Sequence, residues 1–264
     1  MIRIATWNVN SIRQRLDSAL AWLKERSPDI VCLQEIKCVD EIFPREAFEG
    51  LGYNVAVHGQ KAFNGVALLS KFPFDEVAPG LIGDTNDVQA RFLEALVSTK
   101  TGVLRVVSLY LPNGNPAPGD KYNYKLKWME RLIAFSRERL KLEEPMVLAG
   151  DYNVIPTAAD ARRPEAWTND ALFLPQTRKR FRALTNLGLT DALRASSDAS
   201  GLYTFWDYQA GSWQKDDGIR IDHLLLSPQA ADRLVDAGID RHVRSWDKPS
   251  DHVPVYVDLD IEAR

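Results

Sequence analysis

The chain has 264 residues, 45% of them hydrophobic and 26% charged, a composition typical of a globular protein with a sizeable buried core. Its formal net charge of −3 argues against a protein that binds nucleic acid through bulk positive charge alone. Two cysteines are too few for a disulfide framework, and no apolar run approaches the roughly 18 residues of a membrane helix.

Residues 1–7 lead directly into a strand pattern, without the basic segment and cleavage site of a secretory signal. We therefore expect a cytoplasmic protein without a membrane partner. The sequence contains no internal repeat, low-complexity tract or linker. We interpret residues 1–264 as a single domain, and we expect a monomer.

Hydrophobic periodicity predicts strands that alternate with helices along the whole chain. The predicted strands are residues 2–9, 30–33, 53–58, 65–70, 92–98, 103–110, 146–149, 203–208, 219–226 and 253–261. The predicted helices are residues 12–25, a short piece within 44–52, and residues 120–142, 177–187 and 228–235. Because several strand pairs are joined as hairpins, the pattern favours mixed sheets packed together with helices outside, rather than a purely parallel sheet.

Polar side chains follow these strands at the points where the strands end. The clearest case is the apolar run of residues 146–149, which leads through Gly150 into Asp151 and Asn153. One such end is an ordinary turn, but the same pattern recurs and predicts one convergent site. The other polar residues of this kind are Asn8, Asn10, Gln34, Glu35, Tyr110, Asn113, Asp222, Asp251 and His252.

Asp222 gives the strongest single indication of a site, because it lies within the apolar sequence of residues 219–226. A buried carboxylate is costly unless it pairs with a cation or binds a metal. Arg220 is a purely structural alternative as its partner. His252, beside Asp251, is a candidate general base or a stabiliser of developing negative charge.

The candidate ligands are almost all oxygen donors, which suits Mg²⁺, or Mn²⁺, rather than Zn²⁺. The sequence shows no serine or cysteine in a nucleophile motif. Metal, carboxylate and histidine together are suited to the attack of an activated water on a phosphodiester. The sequence therefore predicts a Mg²⁺-dependent phosphodiesterase.

The order of the motifs resembles that of the exonuclease III family of apurinic/apyrimidinic (AP) endonucleases, from end to end. The motifs are Trp7-Asn8-Val9-Asn10, Leu33-Gln34-Glu35-Ile36-Lys37, Tyr110-Leu111-Pro112-Asn113, Gly150-Asp151-Tyr152-Asn153, Thr204-Phe205-Trp206-Asp207-Tyr208, Arg220-Ile221-Asp222 and Ser250-Asp251-His252. The resemblance implies a DNase I-like fold, a four-layered α/β sandwich of two mixed β-sheets flanked by helices. It also implies hydrolysis on the 5′ side of abasic sites in double-stranded DNA, with 3′→5′ exonuclease activity and removal of 3′ blocking groups.

The resemblance also implies the role of each polar residue. Glu35 would be the main metal ligand, with Asn8 and Asp251 nearby. The catalytic residues would be Tyr110 at the phosphate or leaving group, Asp151 and Asn153 at the attacking water, and His252 at the scissile phosphate, oriented by Asp222. Whether Asp151 or His252 is the base stays open. Asn113 would bind substrate, and an apolar pocket for a sugar without a base would be lined by Phe205, Trp206, Ile219 and Ile221.

Some positions differ from familiar relatives. Asn10 stands where certain relatives carry Asp, Pro116 stands where some insert a basic residue into DNA, and the 155–174 loop is short. The balance between AP-site cleavage and exonuclease activity depends on such loops. The alternatives are a phosphatase or lipid phosphodiesterase of the same superfamily, and a non-catalytic nucleic-acid-binding domain. A non-catalytic domain would require altered site residues, whereas every predicted catalytic and metal-binding residue is present in the sequence.

Overall fold

Twelve strands and six α-helices form the part of the chain that the computed structural model describes, residues 1–262 and 264. The strands are β1 (Ile2–Asn8), β2 (Ile30–Gln34), β3 (Asn54–His58), β4 (Val66–Ser70), β5 (Glu76–Pro79), β6 (Phe92–Thr99), β7 (Gly102–Tyr110), β8 (Met146–Asp151), β9 (Thr190–Asp191), β10 (Asp222–Leu226), β11 (Leu234–Ile239) and β12 (Val255–Leu259). The helices are α1 (Leu16–Arg26), α2 (Arg45–Glu49), α3 (Asp120–Leu140), α4 (Pro175–Thr185), α5 (Ala192–Ser196) and α6 (Pro228–Ala231). Short 3₁₀ helices occupy Asp40–Ile42, Ala158–Asp160, Pro164–Trp167 and Arg241–Ser245.

The strands form two six-stranded sheets, in the orders β11-β12-β1-β2-β4-β3 and β5-β6-β7-β8-β10-β9. Both sheets are mixed, since β1 and β2 are parallel, as are β7 and β8, whereas the other neighbouring strands are antiparallel. Their inner faces share one core, to which the first sheet contributes Ile4 and Cys32 and the second contributes Val106 and Leu224. Two mixed sheets therefore pack face to face, as the sequence predicted.

Helices cover the outer faces of both sheets through their apolar sides. Trp22 on α1 packs with Val31 of the first sheet, and Trp128 and Phe135 on α3 pack with Leu148 of the second. Burial of each such large side chain stabilises the fold by about 1.5–3 kcal/mol. The order helix, sheet, sheet, helix confirms the predicted four-layered sandwich.

The strand pairing places the polar strand ends at one edge of the sandwich. Asn8 ends β1 beside Gln34 at the end of β2, and Asp151 at the end of β8 lies between Tyr110 on β7 and Asp222 on β10. Gly150 is required in β8, because a Cβ atom there would overlap the backbone carbonyl oxygen of Leu109.

Three predicted elements differ from the observed ones in the second half of the chain. Residues 203–208 do not form a strand; Phe205 makes only isolated bridges, to Ile219 and His252. The strand predicted from residue 219 begins at Asp222, because the Thr204 hydroxyl accepts hydrogen bonds from the backbone N–H groups of residues 221 and 222. The helix predicted over residues 228–235 ends at Ala231.

Other differences occur where local patterns are weak. The helix predicted from residue 12 begins at Leu16, because the backbone N–H groups of Ser11 and Ile12 bond to the carbonyls of Glu35 and Ile36. Strand β11, which the sequence did not predict, is an edge strand without a fully buried residue. None of the described helices is long and apolar enough to cross a membrane.

Candidate active site

The predicted polar strand ends meet between the two sheets, and Asn8 joins them. Its amide nitrogen donates to Glu35 Oε1 at 2.8 Å and to Asp151 Oδ2 at 2.9 Å. Asn8 and Asp151 are buried. Residues from β1, from the end of β2 and from β8 thus form one hydrogen-bonded group, although 143 positions separate Asn8 from Asp151 in the sequence.

One potential ligand atom from each of Glu35, Asp151 and His252 lies within 4.8 Å of the others, so a metal ion held by the two carboxylates would lie beside the His252 ring. Asp251, a predicted metal ligand, is not part of this group of three. Its Oδ1 accepts a hydrogen bond from Asn10 Nδ2 at 3.1 Å. The two carboxylates fit a hard cation such as Mg²⁺.

His252 is paired with Asp222, as the resemblance implied. Its Nδ1 lies 2.8 Å from Asp222 Oδ2, and its Nε2 faces Asp151 Oδ2 at 3.7 Å. Burial alone would lower the pKa of His252, but Asp222 and Asp151 outweigh it and raise the pKa to about 10. His252 is therefore an imidazolium at neutral pH.

Arg220, the structural alternative, does not pair with Asp222. Its guanidinium instead bonds to Asp160 and Asp191, each at 2.7 Å. Asp222 is therefore free to orient His252. Burial raises the pKa of Asp151 to about 7, which places a carboxyl group that titrates near neutral pH opposite the imidazolium.

Tyr110 and Asn153 complete the polar wall on the second sheet. Burial raises the pKa of Tyr110 well above its usual value, and Glu35 and Asp151 raise it further, so the phenol keeps its proton. Asn153 has a φ of 48°, and its backbone N–H donates to Asp151 Oδ1 at 2.9 Å. The Asn153 side chain donates to the carbonyl of residue 111 and accepts from Asn113 at 3.2 Å.

Beside His252 lies a cavity of about 380 Å³, which we call the Phe205 cavity. The Phe205 ring forms its inner wall, 4.9 Å from the His252 ring. It is lined by Arg163, Ala166, Trp167, Asp170, Phe205, Asp207, Gln209, Ala210, Ser212, Asp217 and Ile219. Phe205 and Ile219 are on this lining, but most of the other lining residues are polar or small.

Two residues predicted to line an apolar pocket lie elsewhere. Trp206 is completely buried with Tyr203, because extended backbone directs adjacent side chains to opposite sides and Phe205 takes the cavity side. Ile221 is buried behind the cavity, in a cluster with Ile155 and Phe173.

The model of the endonuclease/exonuclease/phosphatase family matches residues 5–252. This chain belongs to that family. Exodeoxyribonuclease III from Haemophilus influenzae is 34% identical to this family member, over 98% of this chain and 100% of its own length. This match confirms the resemblance to exonuclease III.

Solved structures of two nucleic-acid enzymes resemble this family member closely. The 3′ phosphatase NExo from Neisseria, bound to a product DNA hairpin, has a TM-score of 0.94 and 36% identity. An AP endonuclease from Archaeoglobus fulgidus has a TM-score of 0.92 and 37% identity. Each alignment covers 98% of this chain and 100% of the other chain.

Sequence reasoning did not assign a role to Lys37, which this family member places at the Glu35 carboxylate, a candidate metal ligand. Its Nζ lies 2.9 Å from Glu35 Oε2 and donates to Asn10 Oδ1 at 2.6 Å. Burial alone would raise the pKa of Glu35, but Lys37 and Asn8 outweigh it and lower the pKa, which keeps the carboxylate charged. Asn10 thus positions Lys37 and Asp251.

Lys125 on α3 is a second residue that sequence reasoning did not assign to the site. Its Nζ is buried and donates to the backbone carbonyls of Asn113 at 2.9 Å and Asn153 at 2.6 Å. Gly114, with a φ of 91°, leaves room for it, because a Cβ there would lie 2.6 Å from Lys125 Cδ. Its spacing in the sequence could have indicated this position, because Lys125 lies three residues from both Tyr122 and Trp128, on the buried face of the helix.

We expect the stability that Lys125 contributes to rise with pH. Burial lowers its pKa from 10.5 to about 7, so between these values the unfolded chain binds a proton that the folded chain has lost. The free energy of unfolding, relative to Lys125→Met, should therefore increase from pH 7 to 9.5 by up to about 1.4 kcal/mol per pH unit. Urea titrations of both proteins measure this difference, and a difference independent of pH would show that Lys125 keeps its proton.

Proposed function

We propose that this family member is a DNA-repair nuclease that hydrolyses the phosphodiester on the 5′ side of an abasic nucleotide. It also has 3′→5′ exonuclease activity and removes 3′ blocking groups from duplex DNA. The observation that carries the proposal is the buried His252–Asp222 pair, whose imidazolium faces Asp151 at 3.7 Å beside Glu35. The names of an exodeoxyribonuclease III, a 3′ phosphatase and an AP endonuclease among its relatives support the substrate class.

Mg²⁺ is the proposed cofactor, and Mn²⁺ is the alternative with the same ligand preference. Glu35 would hold the ion, with Asn8 and Asp251 supplying further oxygen atoms from either side. When bound, the ion supplies positive charge to the phosphate oxygens. Asn8 and Lys37 keep the Glu35 carboxylate charged and oriented for this role.

Asp151 is the proposed general base. An imidazolium with both nitrogens protonated cannot accept a proton, whereas a carboxylate that titrates near pH 7 can. Asp151 takes a proton from water, the water oxygen bonds to phosphorus, and the bond from phosphorus to the upstream O3′ breaks. His252 stabilises the charge that develops on the phosphate.

The remaining polar residues position the reacting groups. Tyr110 contacts the phosphate or assists the leaving oxygen with its phenol proton. Asn153 orients the water beside Asp151, and Asn113 binds the DNA strand through the same amide network. Lys125 holds the backbone of both asparagines from beneath.

The setting of this activity is also a proposal. Residues 1–264 form one domain, since the core between the sheets draws on residues from Ile2 to Ile261. The protein acts as a monomer on double-stranded DNA that contains abasic sites or blocked 3′ ends. Its two buried free thiols, Cys32 and Cys38, suit the reducing cytoplasm.

A duplex with one tetrahydrofuran abasic analogue and a 5′ label tests the function. We expect one nick at the analogue with Mg²⁺, its loss in EDTA and its recovery when Mg²⁺ is restored. Glu35→Gln should raise the Mg²⁺ concentration for half-maximal rate by about tenfold or more, because it removes a charged ligand. Undiminished cleavage in EDTA, or hydrolysis of inositol phosphates or sphingomyelin without cleavage of the duplex, would contradict the proposal.

A further inference from the structure

We infer that Ser108 and Gln34 are positioning residues of this nuclease, and that with Thr6 they set the distance between the catalytic groups of the two sheets. We call these three residues the polar layer. All three are completely buried, so none can contact DNA, and each acts only through the residues beside it. The inference rests on the proposed function, because its effect is measured as a change in the rate of incision.

The candidate active site is divided between the two sheets. The first sheet supplies Asn8 at the end of β1 and Glu35 directly after β2. The second sheet supplies Tyr110 and Asp151 at the ends of β7 and β8. The two halves meet at the 2.9 Å hydrogen bond from Asn8 to Asp151. Because a displacement of about 1 Å can lower a rate about a hundredfold, the reaction requires the two sheets to keep their spacing at this edge.

Strand alternation places the polar layer directly behind the catalytic residues. Thr6 lies two residues before Asn8 on β1, and Ser108 lies two residues before Tyr110 on β7, so each shares the face of its successor. Gln34 pairs with Asn8 in the strand register, and its side chain also lies between the sheets. Two residues further back, the same faces of β1 and β7 are apolar and belong to the shared core. The polar layer thus separates the apolar core from the site.

Hydrogen bonds join the polar layer across the gap between the sheets. Gln34 Nε2 donates to Ser108 Oγ at 3.2 Å, and Ser108 Oγ donates to the backbone carbonyl of Leu33 at 3.1 Å. Thr6 Oγ1 donates to Gln34 Oε1 at 3.2 Å, and Gln34 Nε2 also donates to the carbonyl of residue 32 at 3.1 Å. Ser108 therefore ties the second sheet to both a side chain and the backbone at the end of β2.

The chemistry of the polar layer suits it to fixing geometry rather than to packing alone. Apolar side chains pack through contacts that have little directional preference, whereas hydrogen bonds restrict both distance and angle. Every side-chain nitrogen and oxygen atom of the layer has a partner. A buried network whose members are all satisfied is rigid and favours one arrangement of the core around it.

The polar layer leads to reacting groups on both sheets. On the second sheet, Ser108 fixes the strand face that carries Tyr110. On the first sheet, Gln34 is the last residue of β2, and the chain turns at Glu35, which has a φ of 48°. A shift of Gln34 would therefore move the Glu35 carboxylate relative to the Tyr110 phenol and to the second sheet.

The variant Ser108→Ala tests the inference, because it removes one oxygen atom and with it both contacts that join the sheets. Single-turnover incision of a tetrahydrofuran duplex, at saturating enzyme with Mg²⁺ and well below the unfolding temperature, should be slower by about tenfold or more. The dissociation constant for the duplex should stay within about twofold, because the contacts to phosphate are unchanged.

Ser136→Ala is the matched control. Ser136 is also completely buried, but its hydroxyl donates to the carbonyl of Leu132 within α3. This variant should leave the rate unchanged. A normal rate for Ser108→Ala, an equal loss in Ser136→Ala, or a loss of DNA affinity in place of rate would overturn the inference and leave the proposed function intact. Absence of nicking by the unaltered protein would contradict the proposed function, on which the inference depends.

Two substitutions of Thr6 separate positioning from stability. Thr6→Ser keeps the hydroxyl that holds Gln34 but removes a methyl group from the core, which lowers stability. Thr6→Val keeps the shape of the side chain and removes the hydroxyl. We expect Thr6→Ser to retain the rate within about twofold and Thr6→Val to lower it by about threefold or more. Equal rates for the two variants, or rates that follow their stabilities, would overturn the inference.

Discussion

Replacing Asp151 with Asn should lower the rate of incision at an abasic site by about a thousandfold. The substitution keeps the shape of the side chain and its position between Asn8 and His252 but removes the proton acceptor. General-base catalysis contributes roughly 10²–10⁴-fold to such rates. Single-turnover incision of a tetrahydrofuran duplex, at saturating enzyme with Mg²⁺, measures the effect on the chemical step.

Two controls separate loss of the base from loss of binding or folding. Fluorescence anisotropy with the same duplex should show that Asp151→Asn binds at least as tightly as the unaltered protein, since a negative charge is removed near phosphate. Asp260→Asn should leave the rate unchanged, because Asp260 is exposed and follows the last residue of β12, whereas His252 precedes the first. A decrease of less than tenfold for Asp151→Asn would show that another group is the base.

Replacing His252 with Asn should lower the rate by about 10²–10³-fold, because the phosphate loses its imidazolium donor. Asp222→Asn should cost less by itself, since the imidazole remains but loses the 2.8 Å contact that orients and charges it. In the His252→Asn background, the further Asp222→Asn substitution should change the rate by less than threefold, because Asp222 acts through His252.

This comparison is a double-mutant cycle. It requires single-turnover rates for four proteins: the unaltered protein, the two single variants and the double variant. If the two effects multiply in the double variant, Asp222 acts on the reaction independently of His252. That result would contradict the assignment of Asp222 as the residue that orients and charges the His252 imidazole.

The parts of the fold that the sequence predicted are those with strong local patterns. The apolar runs at residues 30–33 and 146–149 became buried strands, because a run with both faces apolar must be covered on both sides. Strand β11 was not predicted, because it pairs with β12 alone and leaves Val235 exposed. Its sequence therefore shows little of the alternation of apolar and polar residues that marks a strand. The aromatic stretch at residues 203–208 was assigned to a strand because aromatic residues favour strands, yet its backbone makes only isolated bridges.

The predicted site residues are those whose chemistry stands out against an apolar background. Asp222 within an apolar sequence required a partner, and His252 provides it across 30 positions. The role of Lys125 could not be predicted in this way, because lysines on helices usually face solvent and its acceptors are backbone carbonyls on two other segments. Trp206 was placed in the pocket because it adjoins Phe205, although neighbours in extended backbone point apart.

Incision in water enriched in oxygen-18 tests the central claim most directly, that water attacks the phosphorus on the 5′ side of an abasic nucleotide and the upstream O3′ leaves. After one turnover on a tetrahydrofuran duplex, mass spectrometry of both fragments locates the label. We expect one oxygen-18 atom on the 5′ phosphate of the abasic fragment and none on the upstream 3′ hydroxyl. Label on the upstream 3′ end, or a 5′ phosphate without label, would contradict the account.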